Sequence, residues 1–301
     1  MALIDAAYCD TEEEFAKILS FLSETYGSFH FLRNWSLTRM GEWKYGGNDR
    51  IDGAGPGSLS RNLHIWSEGS KVLGLAVSER GEDMTLQVGP DQRALEERML
   101  DWTENEWGRD MDRIVVPVFA NDVWRQNILK RRGYRPTGSH CSLRRYDTMI
   151  SPHETPLEHG FSLSDLERSK DAGGYTEVLA KAFRKSSFDK KWFESKRKAP
   201  GYRTSMVLQV LSPDGKCVSC AEARVDWKQN YAEIALIATH PDYQNRGLAK
   251  ACLAQCFGRL ADMKVRDAYI RSKGEHAPSD RWYDSMLPIE KVEEFSWELT
   301  R

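Results

Sequence analysis

Thr239-His240-Pro241-Asp242-Tyr243-Gln244-Asn245-Arg246-Gly247-Leu248-Ala249-Lys250-Ala251-Cys252-Leu253 is the stretch on which the fold turns. The run before it, Tyr231–Thr239, is rich in Ile, Leu and Ala and reads as a strand. Pro241 starts a turn, and from Gly247 an apolar stripe at helical spacing continues to about Asp262. The segment is therefore strand, loop and helix, with small residues at the helix start. Backbone N–H groups there lack partners and point outward. Gly and Ala let a ligand approach that backbone, and the helix dipole favours an anion. A pyrophosphate is a natural guest, with Arg246 available to assist.

Working backward, Lys216–Trp227 reads as another strand, joined to Tyr231–Thr239 by a turn at Lys228–Asn230. Working forward, the helix leads into a short apolar run at Val265–Ile270. The first half repeats this order weakly. Strands at Lys71–Ser78 and Met84–Val88 precede a helix at about Gln92–Trp107 and an apolar run at Arg113–Phe119. Each half opens on a helical pattern, at Thr11–Glu24 and at about Ser169–Phe183, and Thr11 with Glu14 has the form of a capping box. The proline- and turn-rich segment Asp147–Leu157 lies at the midpoint and marks a linker. The expected fold is α/β (α+β), in two halves at 1–150 and 151–301. Each would have a mixed, mostly antiparallel sheet flanked by helices.

Gln244, Gly247 and Ala249 match the Q/R-x-x-G-x-G/A signature of the GNAT superfamily of acyl-CoA-dependent N-acyltransferases, which this sequence resembles over about 160–300. The usual Val before the turn is replaced by Thr239. The resemblance implies acetyl-CoA as cosubstrate. The backbone amides of Asn245, Arg246, Gly247, Leu248 and Ala249 would cradle its pyrophosphate, next to Gln244. The backbone of Ile237 and Thr239 would hold the pantetheine arm and polarise the acyl carbonyl.

Attack on a thioester requires a neutral amine, so a proton must be accepted, and the departing thiolate needs one. Glu233, in Ala232-Glu233-Ile234, is the leading base, because a carboxylate on an apolar strand has a raised pKa. Glu222 on the neighbouring strand is the reserve, and a water chain is the third possibility. Beside these stands the plainer reading of Glu233 as a solvated residue near the turn. Tyr283 is the leading acid. The resemblance places a Tyr on a short helix after the next strand, although Leu287-Pro288 stands where Gly-Phe is usual. Its plainer role is packing beside Trp282. His240, at an exposed turn, is not expected to do chemistry.

In the first half the corresponding loop, Gly89–Glu97, has no small pair at the helix start, and Asp91, Glu96 and Glu97 would repel a pyrophosphate. Leu129 takes the place of the acid Tyr in an element that closes on Arg132-Gly133-Tyr134. This half is expected to be a degenerate copy. Its aromatic and basic segment His30–Tyr45 either forms a wall of an acceptor cleft or packs on its own half.

Composition narrows the alternatives. In 301 residues, 43 Lys and Arg against 45 Asp and Glu give a net charge of -2, which argues against a broad polyanion-binding surface and so against nucleic acid. No apolar run is long enough to span a bilayer, and the start of the chain lacks a leader-like pattern, so a cytoplasmic protein is expected. A zinc- or thiol-based module on Cys217, Cys220, Cys252 and Cys256 is a rival reading that the local setting disfavours. Alternation puts the first two on opposite faces of a strand, and the others lie on an apolar helix face. The expected activity is transfer of an acetyl group from acetyl-CoA to an amine on a small molecule or peptide, by direct attack in a ternary complex and without metal. A non-catalytic acyl-CoA sensor is the alternative. Oligomeric state is left open.

Overall fold

The computed structural model describes residues 3–46, 58–79, 81, 83–152, 154–273 and 280–301. In chain order the first half supplies β1 (Leu3–Ala7), α1 (Glu12–Phe29), α2 (Leu37–Tyr45), α3 (Ser58–Asn62), β2 (Leu63–Glu68), β3 (Lys71–Val77), β4 (Thr85–Val88), α4 (Leu95–Trp102), β5 (Arg113–Phe119), α5 (Val123–Arg131) and β6 (Arg135–Asp147). The second supplies β7 (Ser162–Asp165), α6 (Leu166–Ser169), α7 (Ala172–Phe183), α8 (Lys190–Lys196), β8 (Val207–Leu211), β9 (Cys217–Asp226), β10 (Tyr231–Thr239), α9 (Leu248–Asp262), β11 (Asp267–Lys273), α10 (Asp280–Asp284) and β12 (Glu290–Thr300). The expected mixed α/β architecture is present, with every strand pair antiparallel except β10 with β11 and an isolated bridge at Asp83 and Val115.

Hydrogen bonding does not part at residue 150. One sheet runs β1-β2-β3-β4, and the other runs β5-β12-β6-β11-β10-β9-β8-β7. The final strand, β12, fills the slot between β5 and β6 of the first half and is antiparallel to both. Its Trp297 is buried in the first half's core with Ile114, Val116 and Leu129. The halves also share an apolar seam. Tyr26 on α1 stacks on Tyr231 of β10 with ring centroids 3.7 Å apart, and Tyr269 closes the cluster.

Local chemistry sets the helix ends that matter for the site. Thr11 caps α1 by accepting from the Glu14 N–H, but the Glu14 carboxylate bonds Cys9 N rather than closing the box on Thr11. In α9, Leu248, Ala251, Cys252, Cys256, Phe257 and Leu260 bury one face against β8–β11. The helix stops where Lys264 turns left-handed (φ 63°) and the Val265 N–H reaches back to Leu260 O.

The cysteines correct the sequence reading in one respect. The β8–β9 register slips between Val210 and Leu211, so Val218 bulges and Cys217 joins Cys220 in one core cluster rather than facing away from it. Burial pushes the Cys217 thiol up to about 12 and raises the thiols of Cys220, Cys252 and Cys256 further. Among the described residues no group of His, Cys, Asp and Glu is arranged to hold a metal ion.

Candidate active site

The site begins where two strands part. β10 and β11 pair in parallel only at Tyr231–Asp267, Ala232–Ala268 and Glu233–Tyr269. Beyond Glu233 the register of β10 slips at Ala235. From there β10 stays on β9 out to Thr239, while β11 stays on β6 out to Lys273. A wedge opens between them.

The phase of the β10–β9 ladder decides which backbone groups face that wedge. His240 N donates to Val218 O (2.9 Å), and Ser219 Oγ donates to Ala238 O (2.9 Å), so these residues turn their polar groups toward β9. Alternation then turns the backbone groups of Ile237 and Thr239 to the open side. The Thr239 hydroxyl is 2.9 Å from Ser219 Oγ.

The loop between β10 and α9 has the expected form. Asn245 and Gly247 are both left-handed (φ 62° and 73°), with Arg246 between them. No side chain caps the N-terminus of α9, and its first turn carries no acid. A Cβ at Gly247 would meet nothing within 4 Å, so its glycine answers a conformational need rather than a steric one. Leu248 is buried and anchors the turn. The Arg246 guanidinium is paired with Glu158 and lies over the Phe161 ring (4.5 Å) rather than standing free.

Glu233 sits at the apex of the wedge and is covered from the first half. Its Oε2 accepts from Ser36 Oγ (2.9 Å), while Oε1 is buried and faces the Thr38 hydroxyl and N–H without a well-formed hydrogen bond. Burial raises its pKa, and the Thr38 and Ser36 hydroxyls, Arg271 and the Thr38 backbone N–H pull it partly back. It is thus no solvated turn residue. The segment His30–Tyr45 packs on its own half and also reaches the second. Trp35, Met40 and Trp43 enter the first half's core, while Ser36 and Glu42 reach residues of the second half.

Glu222 is committed elsewhere. It accepts from Tyr175 OH (2.7 Å) and Arg224 Nε (2.9 Å) and pairs with Lys196 (3.1 Å), all buried. Glu42 of α2 joins Arg224 and Lys196, tying the halves together.

Tyr283 lies on α10 and packs against the same core as Ile237. Burial pushes its hydroxyl up to about 12, while Arg144 opposes the rise and Asp280 adds to it. Its ring stands 4.2 Å from that of Trp282, so the packing role foreseen for it is met as well. His240 accepts from Asp242 N through Nδ1 (3.3 Å) at the turn.

In the first half the start of α4 carries its own buried anion. Glu96, with no exposure, accepts from Arg125 Nε (3.0 Å) and Nη2 (3.2 Å) and from Arg93. Glu97 is turned outward to Arg131 and Arg132. Asn34 then links Arg125 to Glu294, and Glu294 binds Arg271 (3.0 Å) beside the wedge. Sequence reading missed Ser36 and Thr38 because no local pattern reports a contact made across the two halves, and Arg271 because the pairing of β10 with β11 across a helix leaves no local mark.

Residues 174–286 match the Acetyltransferase (GNAT) family. Among solved structures, a tandem GNAT protein from the clavulanic acid biosynthesis pathway aligns over 99% of this chain and 98% of its own, with TM-score 0.66 and 14% identity. A GCN5-related N-acetyltransferase from Sphaerobacter thermophilus aligns over 99% and 96%, with TM-score 0.61 and 15% identity. A GNAT-family acetyltransferase from Colwellia psychrerythraea aligns over 99% and 100%, with TM-score 0.62 and 8% identity. At these identities the likeness is one of fold, and it extends over both halves. Comparison with curated proteins finds no match.

Proposed function

Starting from a chain whose second half carries a GNAT acetyltransferase domain, we propose that it transfers an acetyl group from acetyl-CoA to an amine on a small molecule or peptide. The observation that carries this reading is the wedge between β10 and β11, which opens beside a helix start that no side chain caps. Both features suit a long, anionic thioester: extended backbone for the arm, and unpaired N–H groups for the phosphates.

In this reading the amides of Asn245 through Ala249, with Gln244 beside them, hold the pyrophosphate. Thr239 holds the pantetheine arm through its backbone. The Ile237 N–H donates to the acyl carbonyl and strengthens that bond as negative charge grows on the oxygen. Glu233, or a water it orients, takes the proton from the attacking amine. As the new C–N bond forms the C–S bond breaks, and Tyr283 gives its proton to the departing sulfur and regains one from solvent. The buried cysteines have raised pKa values and supply no thiolate for an acyl-enzyme. Among the described residues no helix is long and apolar enough to cross a membrane.

A second reading is favoured by one contact. Ser36 and Thr38 cover Glu233 from the first half, as they would in a protein that binds acyl-CoA without turning it over. Thiol release from acetyl-CoA across a panel of amines separates the two. Amine-dependent release supports transfer, whereas tight CoA binding with no release from any amine supports the sensor.

A further inference from the structure

We propose that Arg144, on β6 of the first half, is a positioning residue that holds the Tyr283 hydroxyl in place for the thiolate. This inference rests on the reading of Tyr283 as the acid. α10 has five residues, Asp280–Asp284, too few to be stable as a helix alone. It must be held from outside, and the holding groups come largely from β6. Arg144 is fully buried. Its Nε donates to Asp284 Oδ1 (2.6 Å), and its Nη2 stands 3.3 Å from Asp280 Oδ1, so one guanidinium grips both ends of the helix. Its Nη1 donates to Ser272 Oγ on β11 (2.8 Å), and Ser272 in turn donates to Asp280 (2.9 Å). The guanidinium carbon lies 5.7 Å from the centre of the Tyr283 ring. Two residues along β6, Tyr146 OH donates to the Tyr283 carbonyl (3.0 Å). The Nε–Asp284 and Nη1–Ser272 hydrogen bonds fix direction, while Nη2 meets Asp280 as an ion pair without hydrogen-bond geometry.

Arg144 lies outside the 174–286 match. It stands beside α10 because β6 runs between β11 and β12, opposite Ile270 and Lys291. The first half, though without a phosphate-binding turn of its own, would thereby supply a working part of the second half's site. Among the described residues, the charged and titratable groups around Tyr283 are Arg144 and Tyr146 from β6 and Asp280 and Asp284 from its own helix, and Lys291 of β12 pairs with both carboxylates at 3.9 and 3.7 Å.

The test uses the full chain, acetyl-CoA and the best amine from the panel. Tyr283→Phe is expected to lower kcat by about 10²-fold, within the range for an acid or base. Arg144→Gln is expected to lower kcat roughly tenfold or more, with the KM for acetyl-CoA nearly unchanged. It should also move the alkaline limb of the kcat profile to higher pH, because a cation that favours the tyrosinate is gone. A purely structural role would not move that limb. Arg144→Lys should restore the limb and part of the rate. In the double variant, Arg144→Gln should add almost nothing to Tyr283→Phe, since both act on one group. If Arg144→Gln folds poorly, Asp284→Asn breaks the same contact from its exposed side and should show the same non-additivity. The proposal is overturned if Tyr283→Phe lowers kcat while Arg144→Gln and Asp284→Asn leave rate and limb alone, or if the losses multiply. If Tyr283→Phe has no effect on kcat, the acid assignment itself falls and takes the role of Arg144 with it.

Discussion

Ser36 Oγ donates to Glu233 Oε2 at 2.9 Å, and so joins the N-cap of α2 in the first half to the apex of the wedge in the second. The carboxylate that best suits the base is therefore tuned by a residue 197 positions away. Its pKa is raised by burial, so the acid limb of kcat/KM should lie above the ordinary carboxylate range. Ser36→Ala removes a donor that favours the ionised form and should move the limb further up. Glu233→Gln should remove the limb and lower kcat by about 10²-fold or more. Stability has a defined sign too. A carboxyl whose folded pKa exceeds its unfolded value contributes fully below the unfolded pKa, and the contribution is lost as pH rises through the folded pKa. Glu233→Gln should thus equal or exceed the wild type in Tm at pH 8. Loss of Tm there, with kcat intact, would make Glu233 only a partner for α2.

The phosphate-binding turn makes a separate prediction. Gly247 is left-handed with open space where a Cβ would stand, so Gly247→Ala should cost about 1 kcal/mol of stability by backbone strain rather than by collision. Gly247→Asp and Ala249→Glu each place an anion at the helix start and should abolish CoA binding in calorimetry. Glu158→Gln should do the opposite, because it releases Arg246 toward the phosphates. A several-fold tightening, larger at low salt, is the expected result. CoA affinity that survives both acidic substitutions would sink the assignment of the turn.

The turn and its helix were legible because they are local. Gly247 starts α9 within one residue of the expected boundary, and the strand at Tyr231–Thr239 carries Glu233 as read. What the sequence hid is non-local. Nothing in Glu290–Thr300 says that it will lie between β5 and β6, because strand pairing at long separation leaves no trace in periodicity. Nothing in Arg144 announces the helix it grips. The faces of Cys217 and Cys220 were misread for a different reason: one bulged residue, Val218, shifts the alternation on which such readings depend.

The buried cluster in which Arg93 joins Glu96 of α4 to Asp122, the N-cap of α5, should be visible in acid. Burial alone would raise the Asp122 pKa, but Arg125, Arg33 and Arg93 outweigh it and hold the carboxyl at about 2. Burial pushes its partner Arg33 down to about 10, so the gain belongs to the set of three arginines rather than to one pair. A depressed carboxyl stabilises the fold above its unfolded pKa, and the contribution disappears as pH falls through the folded value. Between about pH 4 and pH 2 the protein should lose about 2 kcal/mol on this account. Asp122→Asn should be less stable at pH 7 and should show a flatter acid limb in urea titrations. An unchanged limb would mean that the cluster is not intact in solution.

Glu222 gives the sharpest contrast with Glu233. The two carboxylates lie on adjacent strands of one sheet, but Glu222 has three ties, to Tyr175, Lys196 and Arg224, and those two cations also bind Glu42. Both Glu222 oxygens are thus engaged by buried partners rather than turned to the wedge beside Glu233. Removing Glu222 leaves two buried cations with, among the described residues, the half-buried Glu42 to balance them. Breaking a buried pair from one side costs about 3–5 kcal/mol, so Glu222→Ala should lower Tm steeply. The milder Tyr175→Phe, which deletes one bond at 2.7 Å, should cost about 1 kcal/mol. Per folded molecule, kcat should stay within about twofold of wild type in both, since neither group is asked to move a proton. A Glu222→Gln variant that keeps its Tm and loses kcat by a hundredfold would reverse the assignment, making Glu222 the base and leaving Glu233 as the cap of α2.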